Sequence, residues 1–345
     1  MSILKLKIDK IMKFTTPVEI DYKKYPKLAH SHKIISLGSC FSEHIGNKMV
    51  QSKLNCLVNP FGVLYNPESI LKALKEIQSN KIYSNDDLFY HNDEWHSWMH
   101  HGSFSALSQE EALGRINNKL VEARSAFEDL DYLFITFGSA WVYKLKSTLE
   151  VVSNCHKVSS AEFIRVRLEV DEVVRAYVSF LREITSSCQG LKVIMSVSPI
   201  RHIRDGLAEN QLSKSILLLA IDKIKSALPH TVFYFPSYEI VLDELRDYRF
   251  FAEDMLHPSS VTIDFIWEKF QQTFFTSETQ TLIGECDKIK KGLEHRPSNP
   301  NSPAYRSFLE HLVNKMEQIS RNNPKLEFRK EINRCHTLLN KLPKY

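Results

Sequence analysis

Two segments far apart in the chain hold residue types that could do chemistry together. One is the run Ile34-Ile35-Ser36-Leu37-Gly38-Ser39-Cys40-Phe41-Ser42-Glu43, and the other is Asp254-Met255-Leu256-His257-Pro258. The first is apolar up to a glycine, shows one thiol flanked by hydroxyls, then turns amphipathic. This reads as a strand handing over to a helix, the junction at which α/β folds place reactive groups. In the second, an Asp three residues before a His and a helix-stopping proline sets both side chains on one face of a single turn, as a base and its orienter. Ser39, Cys40 and Ser42 are the candidate nucleophiles. Ser42 is read as a helix-capping or surface hydroxyl. The plainer alternative is that Cys40 fills a turn, Asp254 caps one and His257 packs on Pro258.

Further polar groups fall where strands should end. Asn154-Cys155-His156-Lys157 follows an apolar, β-branched run, so His156 and Lys157 either bind an anionic or hydroxyl-rich substrate or close a strand. Arg201-His202, after Ser198-Pro199, could clamp a carboxylate or phosphate through the guanidinium fork, or form a structural ion pair. His96, His100 and His101, beside Trp95 and Trp98, lack acidic or thiol ligands at regular spacing, so a lid or substrate wall is the reading and a metal site the lesser alternative. Aromatics flanking histidines suit stacking on sugar rings.

The elements that must position these groups alternate. Residues 34–37 read as a strand and 41–50 as the helix behind it; 59–66 is a Pro/Gly-punctuated loop, and 67–79 a helix with Pro at its first turn. Residues 81–105 read as irregular. A helix over 108–127 leads to a strand at 132–137, whose end should lie beside Cys40. Apolar residues recur at helical spacing over 161–188, then come a strand at 192–197, a helix at 208–227 and a strand at 231–235. Strands alternating with helices of this length call for a mainly parallel sheet covered on both faces, with the chemistry at the carboxyl ends. Beyond residue 276, a linker by composition (295–303) precedes two amphipathic helices. Their stripes, Phe308 to Ile319 and Phe328 to Leu342, should pack on the parent domain or, as the second choice, between two copies of the chain.

Composition narrows the classes. With 345 residues, 43% apolar and 25% charged, the chain can bury a large core. A net charge of +4 from 45 basic and 41 acidic residues, without a Lys/Arg block, argues against nucleic acid. The six cysteines are dispersed and form no C-x-x-C pair, which points to a reduced, cytoplasmic protein rather than a zinc module or disulfide scaffold. Ten glycines include no phosphate cradle, so no nucleotide cofactor is implied. Residues 1–14 lack the features of a secretory signal, and no segment approaches the roughly 20 apolar residues of a membrane span.

Gly38-Ser39-Cys40-Phe41, followed by Ser42, resembles the motif that names the GSCFA family, itself similar to the SGNH/GDSL hydrolases. The likeness continues through Asn59-Pro60-Phe61-Gly62-Val63-Leu64-Tyr65-Asn66-Pro67, Phe137-Gly138-Ser139-Ala140-Trp141-Val142-Tyr143, Asn154 to Lys157, Ser198 to His202 and Asp254 to Pro258, up to about residue 275. The resemblance implies a three-layer α/β/α, flavodoxin-like domain over residues 1–276 with a helical extension over 277–345. Matching Gly-Asp-Ser position by position puts Cys40 in the nucleophile's place, with His257 as base and Asp254 as orienter. A thiol in a helix's first turn, beside a histidine, is held below the free value of about 8.5. Gly62 matches the second oxyanion donor of the template. In the third block, Gly138-Ser139-Ala140-Trp141, Ala140 stands where the template has Asn, so Ser139, Asn154 or His156 would have to substitute. The implied activity is a cofactor-independent, metal-free hydrolase or acyltransferase acting on an ester or thioester, with a carbohydrate-linked acyl group the favoured substrate. Its rival is a non-catalytic binding protein that keeps the pocket.

Overall fold

Along β1 (Ile34–Gly38) successive side chains meet different cores. Ile35 and Leu37 pack with Ile70, Ile116 and Leu133, whereas Ile34 packs with Phe41, Ile45 and Phe270. A strand buried on both faces is the mark of a covered parallel sheet. The computed structural model describes residues 15–343. The segment read as unlike a secretory signal, residues 1–14, lies outside them.

After β1 come α1 (Cys40–Gln51), β2 (Cys56–Val58), α2 (Pro67–Gln78), the hairpin β3 (Phe89–His91) and β4 (Glu94–His96), α3 (Gln109–Phe127) and β5 (Tyr132–Phe137). An inserted antiparallel sheet of β6 (Trp141–Leu145), β7 (Val151–Val152) and β8 (Phe163–Arg167) precedes α4 (Val170–Ser187), β9 (Lys192–Val197), α5 (Leu207–Ala227), β10 (Val232–Tyr234) and the short α6 (Ser237–Glu239). Four helices close the chain: α7 (Ser260–Phe274), α8 (Ser277–Glu294), α9 (Pro303–Asn322) and α10 (Arg329–Leu339).

The main sheet has five parallel strands in the order β2-β1-β5-β9-β10. Counted along the chain this is 2-1-3-4-5, the doubly wound order whose direction reverses between its first and third strands. That reversal opens a crevice at the carboxyl ends of β1 and β5. Register aligns Gly38 with Thr136 and Thr136 with Ser196, so three strands end in one row and their loops emerge side by side. Helices α2 to α5 cover one face, and α1 and α7 the other.

The structure departs from the sequence pattern in several places. The fifth strand, β2, is three residues long, too short to show a period. Residues 163–167 form β8 rather than the start of a helix, because Phe163, Arg165 and Arg167 alternate inward with the exposed Ile164 and Val166. Within the stretch read as irregular, Asn92 and Asp93 turn β3 into β4 with φ of 49° and 63°, a hairpin turn these residues tolerate. Pro258 stops no helix: the turn before it runs through Met255 at φ 59°, and Ser259 behind it caps α7.

The C-terminal stripes bury against each other and against α8, in a third core built on Ile289, Leu309, Leu312, Met316 and Cys335. This unit meets the sheet domain where Lys53 pairs with Glu331 at 2.5 Å and lies 5.1 Å over the Phe328 ring. Among the described residues, no helix is long and apolar enough to cross a membrane.

Candidate active site

At the end of β1, Gly38 has φ +142°, and a Cβ there would stand 2.2 Å from the Thr136 carbonyl oxygen. Only glycine lets β1 close on β5 and release the chain into α1. Ser39 is the N-cap residue, yet its hydroxyl makes no capping bond and is buried without a partner. Cys40 follows as the first helical residue, partly exposed. Its amide and the next two have no acceptor within the helix, so the thiol stands at a cluster of free donors and the positive end of the helix dipole. Ser42, read as capping or surface, is instead buried and bonded to Ser36 Oγ at 2.8 Å.

The loop after β2 forms the second side. Gly62 (φ +78°) is packed against His101, and its amide donates to Asn59 O at 2.7 Å. That amide is therefore committed to a turn and does not serve as the oxyanion donor expected of it. Gly138 is similar: its N–H donates to Tyr65 O at 2.7 Å. The side chain of Tyr65 reaches the thiol, with the phenol oxygen 3.4 Å from Cys40 Sγ. Burial first, and then this contact, push its hydroxyl pKa up. Asn66 caps α2, its Oδ1 accepting from Ser69 N at 2.8 Å. A backbone donor can only face the amide oxygen, so the cap fixes the side-chain orientation and leaves Nδ2 over. Nδ2 has no protein partner among the described residues and is not sealed from solvent.

His257 comes from the turn before α7. Its Nδ1 lies 2.5 Å from Asp254 Oδ2, while Asp254 Oδ1 accepts the amides of Leu256 and His257, each at 2.9 Å. Those two backbone bonds, then the ring bond, bring the Asp254 carboxyl down to about 2. An ionised carboxylate only accepts, so Nδ1 carries the proton and Nε2 faces out as the basic nitrogen. No hydrogen bond joins His257 to Cys40; the thiol's partner is Tyr65.

These groups line one cavity of about 580 Å³ at the switch point of the sheet. Of the candidates read from sequence, Ser39, Cys40, Ser139, Asn154, Arg201, His202 and His257 line it, and Asp254 stands behind His257. Gly62, Gly138, His156 and Lys157 do not. His156 is buried in the fold, its Nε2 2.9 Å from Ser97 O, and Lys157 is exposed elsewhere. Of the histidine group only His101 reaches the cavity, while His100 is a core residue stacked on Phe61 at 4.6 Å. Trp98 stacks on Phe89 at 3.6 Å, outside the cavity wall. Ala140 is fully buried, its amide taken by Ser213 Oγ, and offers nothing to the cavity.

Several lining or supporting residues carry no assignment from the sequence: Tyr65, Asn66, Trp141, Tyr143, Arg165 and Arg204. Lys214 is another. It is fully buried on α5, and its Nζ donates to Gly138 O and Ser198 O, each at 2.7 Å, tying the loops after β5 and β9. Burial lowers its pKa to about 7. Its signal was present, since Lys214 falls in register with the buried stripe Leu217, Ile221 and Ile224. His202 has its ring edge-on to Tyr65 at 5.6 Å, and burial, then the charges of Lys214 and His257, bring it to about 4, so it is neutral at pH 7.

The family model described as GSCFA family matches residues 33–270, more than half of the chain. The chain belongs to the GSCFA family. A second model, described as GSCFA domain protein, C-terminal domain, matches residues 286–341, which include α9 and α10. No curated protein matches the chain. The GSCFA match takes in Cys40, Tyr65, Asn66, Lys214 and the Asp254–His257 pair, so the whole cavity belongs to the GSCFA region and none of it to the C-terminal helices.

Proposed function

We propose that the protein is a cofactor-independent hydrolase or acyltransferase that carries an acyl group on Cys40. The observation behind this reading is that a thiol at the amide end of α1 and an imidazole oriented by a carboxylate line one open cavity. In the reaction, the Cys40 side chain turns from Tyr65 to His257 and gives up its proton to Nε2. The sulfur attacks the acyl carbon of an ester or thioester. Collapse of the tetrahedral adduct breaks the bond to the leaving alkoxide or thiolate, which takes the proton from His257. Water or an acceptor hydroxyl then gives its proton to His257 and attacks the carbonyl carbon of the acyl-enzyme; the carbon-sulfur bond breaks, and the Cys40 thiolate takes the proton back from His257.

The charge on the tetrahedral oxygen falls to two donors: the Cys40 amide and Asn66 Nδ2, which takes the place left empty by Ala140. A single such donor is worth about 3–4 kcal/mol of barrier. The favoured substrate remains a carbohydrate-linked acyl group.

A binding protein without turnover is the second reading, favoured by one observation: Tyr65, not His257, holds the thiol. Short-chain aryl esters, thioesters and a thiol-directed acyl probe, applied to the wild type, Cys40→Ala and His257→Ala, separate the two. Labelling of the wild type, lost in Cys40→Ala and slowed in His257→Ala, supports the enzyme. Labelling that persists without Cys40 removes it from the nucleophile's role, and an unlabelled wild type that still binds ligand supports the second reading.

A further inference from the structure

One wall of the cavity is built from stacked arginines and aromatics. The guanidinium of Arg167 lies 5.6 Å over the Trp141 ring and that of Arg165 4.3 Å over the same ring; Arg165 also lies 5.4 Å over Tyr143, and Arg204 5.6 Å over Tyr143. Two of these charges are neutralised within the fold. Arg167 pairs with Glu209 at 2.8 Å, and Arg165 makes a two-pronged bond to Asp205. The other guanidiniums of the cavity residues form no ion pair among the described residues: Arg201 has none, and Arg204 feels Asp205 only at longer range, helping to hold that carboxyl below its ordinary value. Arg204 donates to the Tyr143 hydroxyl; Arg201, which borders a second cavity as well as this one, lies 5.2 Å over Phe251 and 5.7 Å over Tyr248.

Among the described residues, the one carboxylate lining the cavity, Asp205, is already engaged by Arg165. A cavity with two unpaired, ring-positioned guanidiniums and no free carboxylate is complementary to an oxyanion.

We propose that the substrate carries an anionic oxyacid group, a carboxylate or a phosphate, which Arg201 and Arg204 hold while the acyl bond faces Cys40. This specifies the substrate class of the site proposed above and rests on that reading for the acyl bond, but not for the anion. Binding is therefore tested without turnover. The full-length chain carrying Cys40→Ala is titrated calorimetrically with glutarate, with inorganic phosphate and with the neutral analogue glutaramide. At least one anion should bind about tenfold or more tightly than glutaramide, with affinity falling as salt rises. A preference for glutarate or for phosphate assigns the oxyacid. Adding Arg201→Gln and Arg204→Gln should abolish the difference, whereas Arg182→Gln, on the exposed face of α4 and away from the cavity, should leave it intact. Equal binding of glutarate and glutaramide without any for phosphate, failure of both anions to bind, or the same loss in Arg182→Gln would overturn the proposal. An anion that binds to a protein inert towards acyl probes would instead discard the acyl chemistry and keep the anion site.

Discussion

The floor of the cavity and its arginine wall are built on different principles. On the floor, backbone hydrogen bonds do the positioning: the strand ends lie in one row, Tyr65 O takes two amides from the β5 loop, Asn59 Oδ1 takes the Gly38 amide, and Lys214 gathers two carbonyls. The wall is an inserted antiparallel sheet whose side chains order themselves by stacking and ion pairing. A floor held by its backbone can fix a thiol to the tolerance that bond-making needs. A wall held by side chains can change its charge without moving the floor. Substitutions on the floor should then act on kcat, and those on the wall on KM.

The sharpest way to break this division is at the thiol. Cys40→Ala should lower turnover by about 10⁴ or more while ligand affinity stays within a few fold, because the nucleophile adds little to ground-state binding. A matching collapse in affinity would show floor and wall to be one unit. His257→Ala should cost about 10²–10⁴ in kcat, and Asp254→Asn should fall in the same direction by leaving the wrong nitrogen protonated. Since the Asp254 carboxyl titrates near 2, it stays ionised throughout the range of an ordinary pH profile. An acid limb measured above pH 4 should therefore belong to another group and persist in whatever activity Asp254→Asn retains; a limb that vanishes in Asp254→Asn would contradict the assignment.

Asn66 sharpens the comparison because one side chain does two jobs that can be separated. Asn66→Asp keeps an oxygen for Ser69 N, so the α2 cap survives, but it replaces the Nδ2 donor with a second acceptor facing the developing negative charge. Turnover should fall about 10²-fold or more with an unchanged melting temperature. Asn66→Ala should lose the same rate and also about 1 kcal/mol of stability from the missing cap. Equal rates in the wild type and Asn66→Asp would leave the oxyanion to the Cys40 amide alone.

How much of this could be read from the sequence depends on what each residue answers to. β1, β5 and β9 announced themselves because strands buried on both faces are continuous apolar runs, and Cys40 and His257 stood out as reactive types in turn-forming company. Gly62 was expected to donate to the oxyanion and does not, because a motif marks where the backbone bends, not where its amide points; its amide, like that of Gly138, is committed to a carbonyl of the loop after β2. His156 looked like a ligand by type and proved to be a packing residue satisfied by Ser97 O. Asn66 fell in a stretch read only as a loop; that it caps α2, and that its Nδ2 is left unspent, emerge once the cap geometry is known. Of the arginines, Arg201 was read as a clamp for a carboxylate or phosphate; Arg165 and Arg167 were not singled out, because β8 is too short, and too close to α4, to separate period two from period 3.6.

The smallest expected effect concerns Lys214, a cation that the floor buries completely. Its pKa is near 7 in the folded chain and near 10.5 in the unfolded one. Below pH 7 both states hold the proton, so stability does not change with pH on its account and carries the full cost of a buried charge. Between pH 7 and 10.5 the unfolded chain keeps the proton that the folded chain has released, and stability rises with pH by up to about 1.4 kcal/mol per unit. Thiols and phenols that titrate in the same range act oppositely when burial raises them, so the useful quantity is a difference. Urea unfolding of the wild type and Lys214→Met at pH 7, 8 and 9 should give two lines that diverge, the wild type gaining on the variant by about 1–3 kcal/mol over the interval. Lys214→Met also strands the carbonyls of Gly138 and Ser198, which should loosen the loops bearing Ser139 and Arg201 and so lower kcat and raise KM together. Parallel unfolding lines would mean that the ammonium remains charged inside the fold, as a fixed positive charge beneath the cavity rather than a neutral clamp between its loops.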